Sequence, residues 1–435
     1  MEIEYISLLD ATECIIDNRG RTCPTVPIGK YSLIATNCIS NEYLYPRKIN
    51  VRYIDQFTYE NWFRGHPKKG DIIFVTKGDP GRCCIVPEEI DFVIAQDMVT
   101  LRAKNDTIDT YYLLALLRSD IIKNAILNLH VGTMIPHFKK GDFGNLLLPF
   151  PKLAMQEAIG YIFKNIEHKI ELLRQMNETL EAMARALFQS WFVDFDPVRK
   201  KAEGITTGLP KEIEDLFPSE FEDSELGEIP KGWKVGKLGD VIVFNPTYSL
   251  KKDNIYKFLE MKNMEENSPN PKIWDNKNFA GGSKFQNYDT LLARITPCLE
   301  NGKTCYVQFL NDKELGFGST EYIVMRTNNN IPKCYSYLIG KNESFRDYAI
   351  SHLNGSSGRQ RVEKDSLSKY QIPLPITQSI WDKFGEKTNV IFSKIHEGYL
   401  EQQILTNLRD SLLPKLISGE LELSDKMISK ILEPA

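Results

Sequence analysis

The 435-residue chain is 42% hydrophobic and 26% charged, with a formal net charge of −4, the balance of an ordinary globular chain long enough for two or three cored domains. No run of about 18 apolar residues is present, which excludes a transmembrane helix. The opening Met1-Glu2-Ile3-Glu4-Tyr5 lacks the apolar core of a secretory signal, so a cytoplasmic location is expected.

The eight cysteines (Cys14, Cys23, Cys38, Cys83, Cys84, Cys298, Cys305, Cys334) contain no C-x-x-C pair, and the six histidines are scattered. Reduced, buried thiols and no metal site are therefore expected. The charge is unevenly placed. Residues 203–228 hold nine acids and one base (Lys211), a local charge of −8, so the rest of the chain sums to +4. The parts expected to fold on either side are mildly basic.

In chain order, residues 1–152 read as a mixed α/β head. Strands are predicted at 71–75 and 83–86, parted by the Gly78-Asp79-Pro80-Gly81 turn, with one helix over 110–129. Residues 153–196 read as a long helix. Its apolar positions Ile159, Ile162, Ile166, Ile170, Leu173, Met176, Leu180, Met183, Leu187 and Trp191 step by threes and fours, a coiled-coil seam. Residues 197–229 read as an acidic linker, 230–376 as a second head, 377–420 as a second long helix and 421–435 as a short mobile tail. Gly398 and Pro414 are expected to fray or bend the second helix.

The chain repeats itself. Tyr111, Leu114, Pro149 and Pro151 recur 224 residues later as Tyr335, Leu338, Pro373 and Pro375, and Arg102 recurs as Arg326. Tyr31 likewise matches Tyr256, at nearly the same interval. The helices align at an offset of 225. Ile166, Ile170, Leu173, Leu180 and Leu187 are the predicted pairing residues of the first, and Ile391, Ile395, Leu405, Leu408 and Leu412 those of the second. The class is therefore α+β: two mixed α/β domains in tandem pseudo-repeat, each followed by a long helix, the two helices forming an antiparallel coiled coil. Antiparallel pairing would put the heads at opposite ends of a rod and make it a ruler.

Catalytic constellations are weak. Asn245-Pro246-Thr247-Tyr248 resembles an amino-methyltransferase signature, but its third residue is wrong and no glycine-rich cofactor loop precedes it. Asp253 with Glu260-Met261-Lys262 mimics a nuclease acid spacing that chance easily supplies. No P-loop is present. The informative segments are polar loops. In the second head these are Arg294 to Lys303, with Asn301, and Gly355-Ser356-Ser357-Gly358-Arg359-Gln360-Arg361 followed by Lys364. The first-head counterparts are Lys77 to Arg82 and Thr133 to Lys140, with His137 and Lys139. Small residues let a backbone approach phosphate, and Arg and Gln make bidentate contacts to base edges.

Four motifs carry a family resemblance: Leu226-Gly227-Glu228-Ile229-Pro230-Lys231-Gly232-Trp233 followed by Leu238-Gly239-Asp240; Arg294-Ile295-Thr296-Pro297-Cys298-Leu299-Glu300-Asn301-Gly302-Lys303; Ala186-Leu187-Phe188-Gln189-Ser190-Trp191-Phe192-Val193-Asp194-Phe195-Asp196-Pro197; and Ser411-Leu412-Leu413-Pro414-Lys415-Leu416-Ile417-Ser418-Gly419-Glu420. With the duplication, the chain resembles the specificity subunit of a Type I restriction–modification enzyme. The resemblance implies two target-recognition domains reading the halves of a bipartite, asymmetric double-stranded DNA site, and no catalytic residue. It also implies two copies of an adenine-N6 methyltransferase subunit carrying S-adenosylmethionine, and a restriction/translocase subunit that uses ATP and magnesium. The competing readings are a coiled-coil scaffold that binds only proteins, and an autonomous nuclease.

Overall fold

The computed structural model describes residues 4–18, 20–129, 136–356 and 358–433. The chain divides into two compact units, Met1–Leu172 with Gln402–Ala435, and Leu173–Glu401.

In the first unit an antiparallel four-stranded sheet runs in the order Thr12–Asp17, Met98–Ala103, Ile72–Val75, Cys83–Ile85. A three-stranded sheet runs Arg52–Ile54, Tyr31–Ile34, Phe92–Ile94, the last pair parallel. The run Ile72-Ile73-Phe74-Val75 is apolar throughout because both faces are covered. Alternation then sorts the side chains. Ile72, Phe74, Cys83, Val99 and Leu101 share a core with the helix Thr110–Arg118, while Ile73, Val75, Cys84 and Met98 pack with Ile34, Phe92 and Ile94. Burial pushes the Cys83 thiol up to about 11 and the Cys84 thiol up to about 12.

The second unit repeats the plan. One sheet runs Ile242–Phe244, Tyr322–Thr327, Thr290–Ala293, Thr304–Tyr306. The other runs Asp275–Asn278, Ile255–Leu259, Leu315–Gly318, Ser283–Gln286, again with one parallel pair, and adds an edge strand without a counterpart among the described residues of the first head. Each head is closed by a two-stranded ribbon into its Pro-x-Pro segment, Glu4–Ser7 with Leu147–Phe150 and Lys234–Lys237 with Gln371–Leu374.

The single helix expected over 110–129 is two, Thr110–Arg118 and Asp120–Asn128. Ser119 ends the first and caps the second, its side chain accepting from the Ile122 N–H. Asn342 plays the same part between Tyr335–Lys341 and Glu343–Ser351.

The long helices are Leu153–Phe192, 40 residues, and Gln378–Ser418, 41 residues, each about 60 Å at 1.5 Å per residue. In the second unit their pairing is antiparallel: Asn177 lies against Gly398, and Phe192 stacks on Trp381 and meets Phe384 edge-on, both at 4.8 Å. In the first unit Ile159 and Phe163 share a core with Leu413, Leu416 and Ile417. The seam differs from the expected one. Ile166, Ile170, Leu173 and Ile395 are buried, and Leu180, Leu187, Ile391 and Leu412 are partly buried against the cores. Leu405 is intermediate. Met176 (49% exposed), Met183 (55%) and Leu408 (46%) face outward. Phe163, Ala184, Phe188 and Phe192 are buried instead, because these helices pack against head domains as well as each other, which broadens the apolar face beyond an a/d stripe. Gly398 does not fray the helix. A Cβ there would lie 2.7 Å from the Asn177 Oδ1, so the glycine permits close approach, and the helix continues through Pro414.

The stretch read as an acidic linker is folded. It forms the helices Asp196–Ala202 and Lys211–Glu214 and the hairpin Phe221–Ser224/Gly227–Pro230. Val198, Ile213, Phe217 and Ile229 enter the second unit's core. Charge dominates its composition, yet one apolar residue every few positions is enough to anchor it. The expected tail likewise carries the helix Asp425–Leu432, with Leu423 and Ile428 buried in the first unit.

Two consequences are measurable. A Cβ on Gly160 would lie 2.0 Å from the Oδ1 of Asp109, the residue that caps Thr110–Arg118. Gly160→Ala should therefore lower stability by about 1–3 kcal/mol in denaturant titration. Burial depresses the titration of His66, His168 and His396. Depressed groups favour the folded state above their unfolded value of about 6.5 and lose that stability as pH falls through the folded value. The unfolding midpoint should thus be lower at acid pH than near neutrality, and His396→Gln should narrow the difference.

Candidate nucleic-acid interface

The two polar loops that the sequence nominates in each head are brought together. In the second head, strand Thr290–Ala293 continues through Arg294, Ile295 and Thr296 beside the segment 360–362. Val362 N–H donates to the Arg294 carbonyl at 3.0 Å, Thr296 N–H to the Gln360 carbonyl at 3.0 Å, and Gln360 N–H to Thr296 Oγ1 at 3.1 Å. Asn354 and Arg361 exchange backbone hydrogen bonds of 2.9 Å each way, closing a hairpin whose Gly355 and Gly358 have φ of +119° and +82°. Such angles favour glycine. Val362 is fully buried and anchors the hairpin.

The first head builds the same ladder from different side chains. Phe138 N–H donates to the Thr76 carbonyl at 2.8 Å and Gly78 N–H to the Pro136 carbonyl at 3.0 Å. Lys77 and His137 form the bridge that Ile295 and Arg361 form in the second head. Phe138 is the buried anchor, stacked on Phe143. Thr133, Ser357 and the rest of 130–135 lie outside the described residues.

The nominated cations divide into two sets. Some are engaged within the protein. Arg82 donates to the carbonyls of Thr36 and Ile39 at 3.0 and 2.8 Å and pairs with Asp79. Arg361 pairs with Glu321 through Nε at 3.0 and 2.9 Å and Nη2 at 2.6 Å, which holds the Glu321 carboxyl below the usual carboxylate range. Arg294 pairs with Glu363. Lys77 faces Asp97 at 4.0 Å, Lys140 faces Asp17 at 3.4 Å, and Lys303 Nζ reaches the Met261 carbonyl at 3.5 Å. In the other set, Arg359, Lys364 and Lys139 are exposed and carry no side-chain ion pair among the described residues, with Ser356 and Asn301 exposed beside the second-head pair. Gln360 is half-buried on the ladder itself.

Sequence reasoning missed the acids. Asp71 binds Arg102 through two bonds of 2.8 and 2.9 Å, and Asp289 binds Arg326 at 2.6 Å with Tyr248 as a further donor. Burial pushes the Asp289 carboxyl up against the pull of Arg326. The recurrence of Arg102 as Arg326 was the legible half of this signal. Asp97 and Glu321, placed ahead of corresponding strands, lie at the same 224-residue interval, but as an Asp-to-Glu change that matching of identical residues passes over.

The remaining motifs have structural places. Asn245 Oδ1 accepts from the Val324 N–H at 2.9 Å, and Glu260 is paired with Lys262 and Lys277, which hold its carboxyl down at about 2. Among the described residues no group of three or more His, Cys, Asp or Glu side chains is placed to hold a metal ion, and no helix is long and apolar enough to cross a membrane.

Two similarly built heads, each presenting a basic two-loop ladder and each joined to a long helix, define a tandem recognition protein. The family model for the Type I restriction modification DNA specificity domain matches residues 26–182 and 230–406. The chain belongs to that family: it is a specificity subunit of the Type I restriction–modification class, the non-catalytic member of such enzymes. It is 26% identical over 410 residues to the HindI specificity subunit of Haemophilus influenzae, covering 81% of this chain and 87% of that one. It is 22% identical over 328 residues to the MjaIX specificity subunit of Methanocaldococcus jannaschii, covering 74% and 71%. The crystal structure of a Type I restriction–modification S subunit from M. genitalium superposes with a TM-score of 0.58 at 16% identity, covering 97% of this chain and 98% of that one, a likeness of fold.

Proposed function

We propose that this chain recognises a bipartite, asymmetric site in double-stranded DNA, each head reading one half through its loop pair, and directs methyltransferase and restriction subunits to that site. The observation that carries this is one backbone ladder built twice with different exposed side chains: Arg359, Ser356, Asn301 and Lys364 in the second head, Lys139 in the first. Equal scaffolds keep the approach to the duplex equal, and unequal side chains make the two half-sites differ.

The helix pair sets the spacer between the half-sites. It also offers docking faces to two adenine-N6 methyltransferase subunits, which carry S-adenosylmethionine; a restriction/translocase subunit brings ATP and magnesium chemistry. Exposed apolar residues at helical spacing support those faces: Met176 and Met183 on the first helix within the second unit, Ile404 and Leu408 on the second helix within the first unit. Inserting four residues near Thr179 should alter the recognised spacer, mapped as N6-methyladenine across host DNA. An unchanged spacer overturns the ruler.

Duplex binding should weaken with salt, with a logarithmic slope of about 0.9 per phosphate contacted. Absence of duplex binding with the methyltransferase subunits present would leave a protein-only scaffold.

A further inference from the structure

A carboxylate sits behind each ladder. In the second head Glu321 stands ahead of strand Tyr322–Thr327, and its carbonyl accepts from the Arg294 N–H at 3.0 Å. Its side chain holds Arg361 through both carboxylate oxygens. In the first head Asp97 stands ahead of Met98–Ala103, and its carbonyl accepts from the Thr76 N–H at 2.9 Å while its carboxylate faces Lys77 at 4.0 Å. The same backbone position thus carries an acid twice, each time beside a cation of the ladder.

An acid beside a polyanion is unfavourable by itself, so its recurrence calls for a function. Phosphate contacts add affinity without sequence information, whereas base contacts discriminate. A ladder cation left free would add to the first kind. We propose that Glu321, and Asp97 in the first head, are specificity-determining residues that neutralise a ladder cation and withhold it from the DNA backbone, leaving Arg359 as the guanidinium the second-head hairpin offers to DNA. This rests on the loop pairs being the DNA-facing surface, as proposed above.

The test uses the full chain assembled with its methyltransferase subunits and a mixed-sequence duplex of about 30 base pairs, titrated at several salt concentrations. Glu321→Gln should bind this duplex roughly three- to tenfold more tightly at low salt, steepen the salt slope by about one unit, and enrich its target less sharply from a randomised duplex library. Adding Arg361→Gln to Glu321→Gln should abolish the gain. A purely structural clamp would instead give weaker binding in both variants. No tightening in Glu321→Gln, or a gain that survives in the double variant, overturns the proposal. Arg359→Gln separates the two levels. If it changes neither the slope nor the enriched sequence, the loops are not on DNA and the underlying reading falls. If it changes them while Glu321→Gln does not, only the present proposal falls.

Discussion

Glu167→Ala is expected to destabilise the first unit by about 3 kcal/mol, because it removes a buried carboxylate shared by two largely enclosed guanidinium groups and leaves Arg118 with carbonyl acceptors alone and Arg409 with Asp410 alone. Glu167 is only 2% exposed. It accepts from Arg118 Nη1 at 2.9 Å and from Arg409 Nη1 at 2.6 Å, so one carboxylate joins a head helix to both long helices. Arg118 does more than pair. Its Nη2 also donates to the carbonyls of Tyr43 at 2.6 Å and Cys83 at 3.0 Å. Arg118→Met should therefore cost more than Arg409→Met, since it also leaves buried carbonyls without donors. Denaturant midpoints of the three variants check the order, and equal losses for the two arginines would show that the carbonyl bonds contribute nothing.

Arg359→Gln is expected to have the largest effect on recognition. The side chain is exposed at the tip of a hairpin closed by the Asn354–Arg361 bonds. A bidentate arginine contact to a base contributes about 1–3 kcal/mol of discrimination, so preference at one position of one half-site should fall roughly 5- to 150-fold. The other half-site and the folding midpoint should stay as in the wild type. Mapping N6-methyladenine in cells carrying the variant distinguishes loss of one half-site from uniform weakening, and uniform weakening would assign Arg359 to phosphate. Arg361, two residues on, has the same chemistry but is paired with Glu321.

Much of the fold was legible because it rests on periodicity. The long helices carry apolar residues every three or four positions over 40 residues, a pattern no loop sustains. The strand Ile72–Val75 reads as buried because a run of Ile-Ile-Phe-Val has no other stable place. Smaller features escaped. Ser119 splits a helix by capping, an effect of one hydroxyl inside an otherwise continuous apolar pattern. The acidic segment 203–228 looked like solvent-facing chain because charge is easier to count than the few anchors, Ile213 and Phe217, that hold it.

The sequence by itself determined the duplication, the two heads, the helices and the pair of loops in each head that carries polar and basic residues. Those follow from spacing along one chain. Only the tertiary structure decided which cations are available. Arg82, Arg294 and Arg361 are engaged by Thr36 and Ile39, Glu363, and Glu321, partners 40 to 69 residues away, whereas Arg359 is exposed. Arginines in one short loop look alike in sequence, and they differ because electrostatic pairing depends on distances in space, which local spacing does not encode.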